Sequence, residues 1–319
     1  MRTLTKPTRP HRRHRFIGSH LPWLALAQLL VPALPARAEV PQRQGWTLKF
    51  AEDFSGPTGK LPSSDRWRFD LGHGYPGVEG SNWGTHEVEA NTASAANVSL
   101  DGNGHLSITP LRDAKGLWTS ARIETNQADF RAPPSGVLRV EARIRMPDVQ
   151  GPAALGYWPA FWMLGHTFRQ RLDWPAVGEV DIMENVNGLN RTWGTLHCGV
   201  SPGGPCTEKH GLSADAPCPD TSCQAAFHTY AMEWDRRARP QVLRWYVDGQ
   251  LYHTLRQDQL PAQTWGRMSA PEGAFLILNV AIGGEFPDRM SAPVPTPTPA
   301  TQPGHPMLVD YVAVWTKVH

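Results

Sequence analysis

The chain has 319 residues, with 31 Lys and Arg against 29 Asp and Glu, for a formal charge of +2. Seven of the basic residues and none of the acidic ones fall in the first 38 positions, which leaves 24 against 29, a charge of −5, on the remainder. That balance offers no basic surface to a polyanion and excludes a nucleic-acid partner.

Residues 1–38 have the make-up of a signal peptide: a basic head (Arg2, Lys6, Arg9, Arg12, Arg13, Arg15), an apolar run from Leu21 to Leu34, and a small-x-small end at Ala36-Arg37-Ala38. The run is too short, and too broken by Pro22 and Pro32, to span a bilayer. The expectation is a secreted protein that meets no membrane once the leader is removed, with residues 39–319 as one domain. The first clear elements after the leader are a turn at Asp101-Gly102-Asn103-Gly104 and strands over Leu106–Thr109 and Gly136–Met146.

The next segment, Gly178 to Asn185, places Glu179, Asp181 and Glu184 on one short strand. Strand side chains alternate faces, so Glu179 and Asp181 point the same way and Glu184 is out of phase by one residue. An inserted residue, Met183 in a bulge, brings it back. The alternative readings are a solvated acidic strand or a calcium ligand set; the intervening Val180, Ile182 and Met183 make the opposite face apolar, which argues against solvation. Three desolvated carboxylates do not help folding, so the cluster reads as catalytic. Cleaving a glycosidic bond with retention needs two carboxyl groups roughly 5–5.5 Å apart, one to attack the anomeric carbon and one to protonate the leaving oxygen. Glu179 is assigned as nucleophile and Glu184 as general acid/base. Asp181 lies between them, able to hold a proton and to separate their pKa values.

Four cysteines follow within 26 residues: Cys198, Cys206, Cys218 and Cys223. In an exported chain they read as disulfides. Of the three pairings, Cys198–Cys206 with Cys218–Cys223 ties the Gly/Pro-rich loop down most locally. A zinc site using His197 or His210 is the competing idea, but the cysteines lack Cys-x-x-Cys spacing. Strands are expected over Phe227–Trp234, Val242–Val247 and Ala274–Ile282, with a hairpin whose tip is Asp248-Gly249. Residues 291–306 are rich in Pro and Thr, like a linker. The strand-like run after them, Met307–Val318, is too short for a domain, so a long surface loop is expected instead. With no long helical pattern and no fixed repeat, the fold class is all-β, a sandwich.

There are 13 tryptophans. Trp83, Trp118, Trp158, Trp162, Trp174 and Trp193 lie near the acidic strand in sequence or beside glycines, and flat aromatic rings suit the apolar faces of sugars. Most buried tryptophans are simply core, and Trp158 is the strongest candidate for a platform.

Taken together, Gly-Tyr-Trp-Pro-Ala-Phe-Trp-Met-Leu (156–164), Gly-Glu-Val-Asp-Ile-Met-Glu (178–184), Phe-His-Thr-Tyr-Ala-Met-Glu-Trp (227–234) and Leu-Ile-Leu-Asn-Val-Ala-Ile-Gly-Gly (276–284) resemble glycoside hydrolase family 16 in content and order. Ser120-Ala121-Arg122-Ile123 and Val309-Asp310-Tyr311-Val312 extend the likeness over roughly residues 46–316. It is greatest to the laminarinase-type endo-β-1,3-glucanases. The resemblance implies a concanavalin A-like β-jelly roll with an open concave substrate cleft and a retaining mechanism carried by Glu179, Asp181 and Glu184. It further implies Trp158 and Trp162 lining the subsites before the scissile bond, and His197 near the acid/base. Arg122, Asn279 and Glu87 would be hydrogen-bonders to sugar. No cofactor is implied for catalysis, but a structural calcium is, on Asp310 with Glu52. The partner is a polysaccharide and the protein a monomer, since an open cleft must let long polymers pass.

Two departures bear on substrate: Phe286 stands where such glucanases often have Trp, and the cysteine loop 198–223 is not general to the family. β-1,3-Glucan leads, with β-1,3-galactan, mixed-linkage glucan and algal galactan as alternatives. A non-catalytic β-glucan-binding protein and a transglycosylase are the competing functions; retention of both glutamates argues against the first, and product profiling separates the second.

Overall fold

The computed structural model describes residues 1–4, 40–78, 80–269 and 272–318. Apart from residues 1–4, the predicted leader lies outside the described residues. Among these, the strands in chain order begin with β1 (Thr47–Glu52), β2 (Trp67–Asp70), β3 (Ala90–Asn91), β4 (Val98–Leu100), β5 (Leu106–Ile108) and β6 (Leu111–Arg112). They continue with β7 (Trp118–Ser120), β8 (Arg122–Thr125), β9 (Val137–Arg145), β10 (Tyr157–Gly165), β11 (Glu179–Glu184) and β12 (Thr192–His197). The rest are β13 (Leu212–Ala216), β14 (His228–Asp235), β15 (Val242–Val247), β16 (Gln250–Arg256), β17 (Ala274–Ile282) and β18 (Met307–Lys317). Three short helices, α1 (Phe168–Arg171), α2 (Ala262–Met268) and α3 (Glu285–Ser291), were not announced by any helical periodicity. No described helix is long and apolar enough to cross a membrane.

Two antiparallel sheets face each other. One runs β13-β12-β11-β10-β17-β8-β2; the other runs β16-β15-β14-β9-β18-β5-β4, with β1 alongside β18. Alternation along each strand decides what fills the space between them. On β17, Leu276, Leu278, Val280 and Ile282 enter the main core, while Phe275 and Ile277 pack on the other face. From the second sheet, Leu138, Val140, Met232, Trp245 and Val314 meet them. Fully burying side chains of this size contributes about 1.5–3 kcal/mol each, so a one-residue slip in any of these strands would expose several of them at once.

The predicted hairpin forms between β15 and β16, with Val247 opposite Gln250 and positive φ at both Asp248 and Gly249. This is the type I′ geometry that Asp-Gly favours. The Pro-rich segment is a loop that returns the chain to β18, yet it is anchored rather than loose. Thr301 is fully buried with its hydroxyl on the Leu155 carbonyl, and Asp288 receives both the N–H and the hydroxyl of Thr296.

Candidate active site in the concave sheet

A bulge in β11 is present as expected, but its extra residue is Ile182 and not Met183. Against β10, Asp181 pairs with Trp162 and Met183 with Phe161, which leaves Ile182 as the extra residue; against β12, Asp181 pairs with Thr195 and Glu184 with Trp193. Val180, Ile182 and Met183 all enter the core, and Glu179, Asp181 and Glu184 all face the opposite side. A bulge disrupts the ladder locally, and here the Trp245 indole N–H, reaching across from the other sheet, donates to the Asp181 carbonyl at 2.8 Å.

The three carboxylates sit in a cleft of about 750 Å³. Glu184 accepts from the Trp158 indole N–H at 2.9 Å and from the Thr195 hydroxyl at 3.3 Å. His197 Nε2 lies 3.4 Å from Asp181 Oδ2 and 3.9 Å from Glu179 Oε1, and its Nδ1 is 2.7 Å from Glu208. Burial pushes all three carboxyls up. Glu179 reaches about 7, with His197 pulling it down and Glu184 pushing it up; Asp181 goes well above its ordinary value because Glu184 and Glu179 add to burial. Glu184 is raised less freely, since His197 and the Trp158 and Thr195 hydrogen bonds favour its ionised form. Burial alone would lower His197, but the Glu208 hydrogen bond and the charges of Asp181 and Glu179 carry it to about 10. Glu179, Asp181 and His197 bring polar atoms within 4.8 Å of one another, close enough for a cation. His197 is pushed toward its charged form by Glu208, Asp181 and Glu179, and an imidazolium there puts its own positive charge in the place a cation would take.

Five of the six singled-out tryptophans, Trp83, Trp158, Trp162, Trp174 and Trp193, line the cleft, whereas Trp118 is buried in the core. Phe286 stands edge-on to both Trp158 and Trp193, with centroids 5.8 and 5.4 Å away. Arg122 and Asn279 border the cleft but differ from expectation in what they bond. The Arg122 guanidinium is buried, donating to Asp70 at 2.9 Å and to the Tyr75 hydroxyl at 2.5 Å, beneath the rings of Trp83 and Trp162, each 4.6 Å away. Asn279 accepts from the Trp162 indole at 2.8 Å. Both therefore hold aromatic platforms in place. A cation against indole faces is worth roughly 0.5–2 kcal/mol.

Glu87 also borders the cleft, taking the Thr85 hydroxyl at 2.6 Å. Glu87 Oε2 and Glu89 Oε1 have no N–H or hydroxyl donor, and burial pushes both groups up, so a proton shared between the two carboxyls fits this pair. Glu89 escaped notice in the sequence, as did Tyr75, Thr195 and Glu208. The two cystines match the expected pairing, Cys198–Cys206 and Cys218–Cys223. The calcium pair needs correcting. Asp310 is bonded to Arg143, with His105 3.9 Å away. Glu52 receives the Trp67 indole and the Phe54 N–H, with Arg66 3.6 Å off. A carboxylate already holding a guanidinium does not suit a divalent cation, so Asp310 does not fit the group as it stands, whereas Glu52 holds no guanidinium at hydrogen-bond distance.

Polar contacts also join the walls of the cleft. Lys209, on the loop leaving the Glu179 end of the sheet, reaches Glu285 at 2.9 Å and the Gly84 carbonyl at 3.4 Å near the Glu184 end. Beside it, Arg289 meets His210 at 2.8 Å.

A β-sandwich whose concave sheet carries clustered carboxylates between aromatic platforms is the architecture of a glycoside hydrolase. The family model described as "XgeA-like, catalytic GH16 domain" matches residues 143–232. The crystal structure of an endo-1,3-beta-glucanase from Streptomyces sioyaensis is similar at a TM-score of 0.85 and 54% identity, covering 88% of this chain and 100% of that one. The chain belongs to glycoside hydrolase family 16. A beta-glucanase of Rhodothermus marinus is 32% identical over 284 residues, 86% of each chain. The glucan endo-1,3-beta-glucosidase A1 of Niallia circulans is 29% identical over 298 residues, 87% of this chain but 39% of that longer protein.

Proposed function

We propose that this protein is a secreted, monomeric, retaining endo-glycosidase that hydrolyses internal β-1,3 linkages of a β-1,3-glucan. The observation that carries the reading is the bulge in β11, which turns Glu179, Asp181 and Glu184 onto one face of an aromatic-lined cleft. The names of the relatives, endo-1,3-beta-glucanase among them, support the choice of substrate. Residues 39–319 act as one catalytic domain, and no cofactor takes part in the chemistry.

In the first step Glu179 attacks the anomeric carbon while Glu184 gives its proton to the departing glycosidic oxygen, leaving a glycosyl ester on Glu179. Glu184, now ionised, takes a proton from water, which displaces Glu179 and restores both groups. Asp181 holds a proton beside the nucleophile, and the His197 imidazolium offsets the remaining negative charge. Trp158 is favoured for two roles: its ring lies under the sugar and its N–H aims Glu184. Trp162, fixed by Asn279 and Arg122, extends the platform, with Glu87 at its border.

Reducing-sugar release from laminarin tests this, beside lichenan, β-1,3-galactan, agarose and carrageenan. Laminarin should be cut fastest, Glu184→Gln should remove activity at least about a hundredfold, and the first product seen by NMR should be the β-anomer. Binding without release would favour the glucan-binding alternative; an α-anomer would exclude retention.

A further inference from the structure

Glu208 takes no part in the chemistry just described, yet its side chain is fully buried against the site. Its Oε2 is 2.7 Å from His197 Nδ1, and its Oε1 accepts the Cys198 backbone N–H at 2.8 Å. Among the described residues His197 is the cation it pairs with. A buried carboxylate is strongly destabilising unless a charged partner satisfies it, and the partner here is an imidazole that must carry a proton to serve. The loop is built to deliver this one side chain. The Cys198–Cys206 disulfide closes it, and reciprocal backbone bonds of 2.6 Å between Gly203 and Glu208 brace it. At Gly211, where φ is +70°, a Cβ would stand 2.9 Å from the His197 ring and 2.4 Å from Thr195, so the chain can pass this close only as glycine.

We propose that Glu208 is a positioning residue for the reaction, fixing the proton on His197 so that a positive charge stands against Asp181 and Glu179 throughout the cycle. The proposal rests on the retaining reading above for its kinetic consequence, though not for its charge state. The groups facing the ring are few. Glu208 comes from the loop, Asp181 and Glu179 from β11, and the uncharged Trp174 ring stands 5.7 Å away. Further out, Glu184 and Glu208 push Glu179 up and Arg122 pulls it down, Glu208 acting on it less than His197 does. Removing the Glu208 charge leaves His197 with only the catalytic carboxylates, one of which is consumed as an ester mid-reaction. A neutral His197 no longer eases the ionisation of Glu179, so the nucleophile is charged only at higher pH.

Glu208→Gln keeps the shape and can still accept from Cys198, so it isolates the charge. In this variant the acid limb of kcat/KM on laminarin should move up by about one pH unit, a loss of about tenfold on that limb, with KM little changed. NMR of His197 should show a ring protonated through about pH 8 in the native protein and titrating below that in Glu208→Gln. A merely structural glutamate would leave the acid limb in place and lower only the thermal midpoint. An unmoved limb, or a native His197 that titrates near its ordinary value, overturns the proposal; the second readout stands even where the variant does not fold. If the native enzyme releases nothing from laminarin, the assigned function fails while the histidine titration still decides the role of Glu208.

Discussion

Removing the charge of Glu179 should stabilise the fold while destroying activity, and the gain should grow with pH. Its carboxyl titrates at about 7 against an ordinary 4.5, because burial beside Glu184 opposes ionisation more than His197 favours it. A folded-state value raised above the unfolded one means stability that is present below the unfolded value and is lost as pH rises through the folded one. At about pH 5 the unfolded chain has begun to ionise this group and the native protein has not, a cost of about 1 kcal/mol; by about pH 8.5 both are ionised and the cost levels off at about 3 kcal/mol. Glu179→Gln keeps the shape and removes the titration, so its thermal midpoint should exceed the native one by a margin that widens between those two pH values. At about 2 °C per kcal/mol for a chain of this size, the widening is about 4–5 °C. Scanning calorimetry of both proteins at the two pH values measures it directly. A margin that is flat across pH, or a variant less stable than the native protein at the higher value, would refute the reasoning.

Two further outcomes follow from contacts around the cleft. Trp158→Phe keeps an aromatic platform but deletes the 2.9 Å bond that favours ionised Glu184. Its alkaline limb of kcat should move to higher pH while KM changes little, and a downward shift would show that this indole does not tune the acid. Lys209→Ala should raise kcat/KM on long laminarin a few-fold and leave a short oligosaccharide unaffected, because an exposed ion pair worth about 0–1 kcal/mol joins walls between which a polymer must pass. Equal effects on both lengths would show that the polymer does not meet this contact.

The parts of this site that could be read from sequence are those whose cause is local. Glu179, Asp181 and Glu184 fall within six residues, and the phase error that Glu184 shows against a period of two is itself the mark of the bulge. The Asp248-Gly249 turn and the two cystines are equally short-range, with sequence separations of 8 and 5 for the disulfides. The residues read less well are those whose meaning depends on a distant strand. Arg122 looked like a sugar ligand because nothing nearby in sequence reveals Asp70 and Tyr75, 52 and 47 positions away, as the groups that engage it. Asp310 likewise looked free for calcium until Arg143, 167 positions away, took its carboxylate. Trp118 and Trp83 look alike in sequence, but Trp118 lies on β7 and packs into the core while Trp83 lies in a short helical turn, Asn82–Gly84, that borders the cleft.

Glu208 is the instructive case, because it lies only 11 residues from His197 and was still passed over. The four cysteines around it gave the loop a sufficient explanation as scaffolding, and a lone glutamate among Gly, Pro and Thr carries no periodicity to place it inside. What separates it from a surface carboxylate is the energetic cost of burial. A glutamate with no exposed side chain must either keep a proton, as the Glu87–Glu89 pair can, or have a cation, and the cation in reach of Glu208 is the histidine facing the nucleophile. The scaffold reading and the electrostatic one are therefore the same physical statement seen from two ends. The disulfide restricts the loop so that one charge can be held where water would otherwise release it, and the substrate side of His197 then carries the proton that the carboxylates of β11 need.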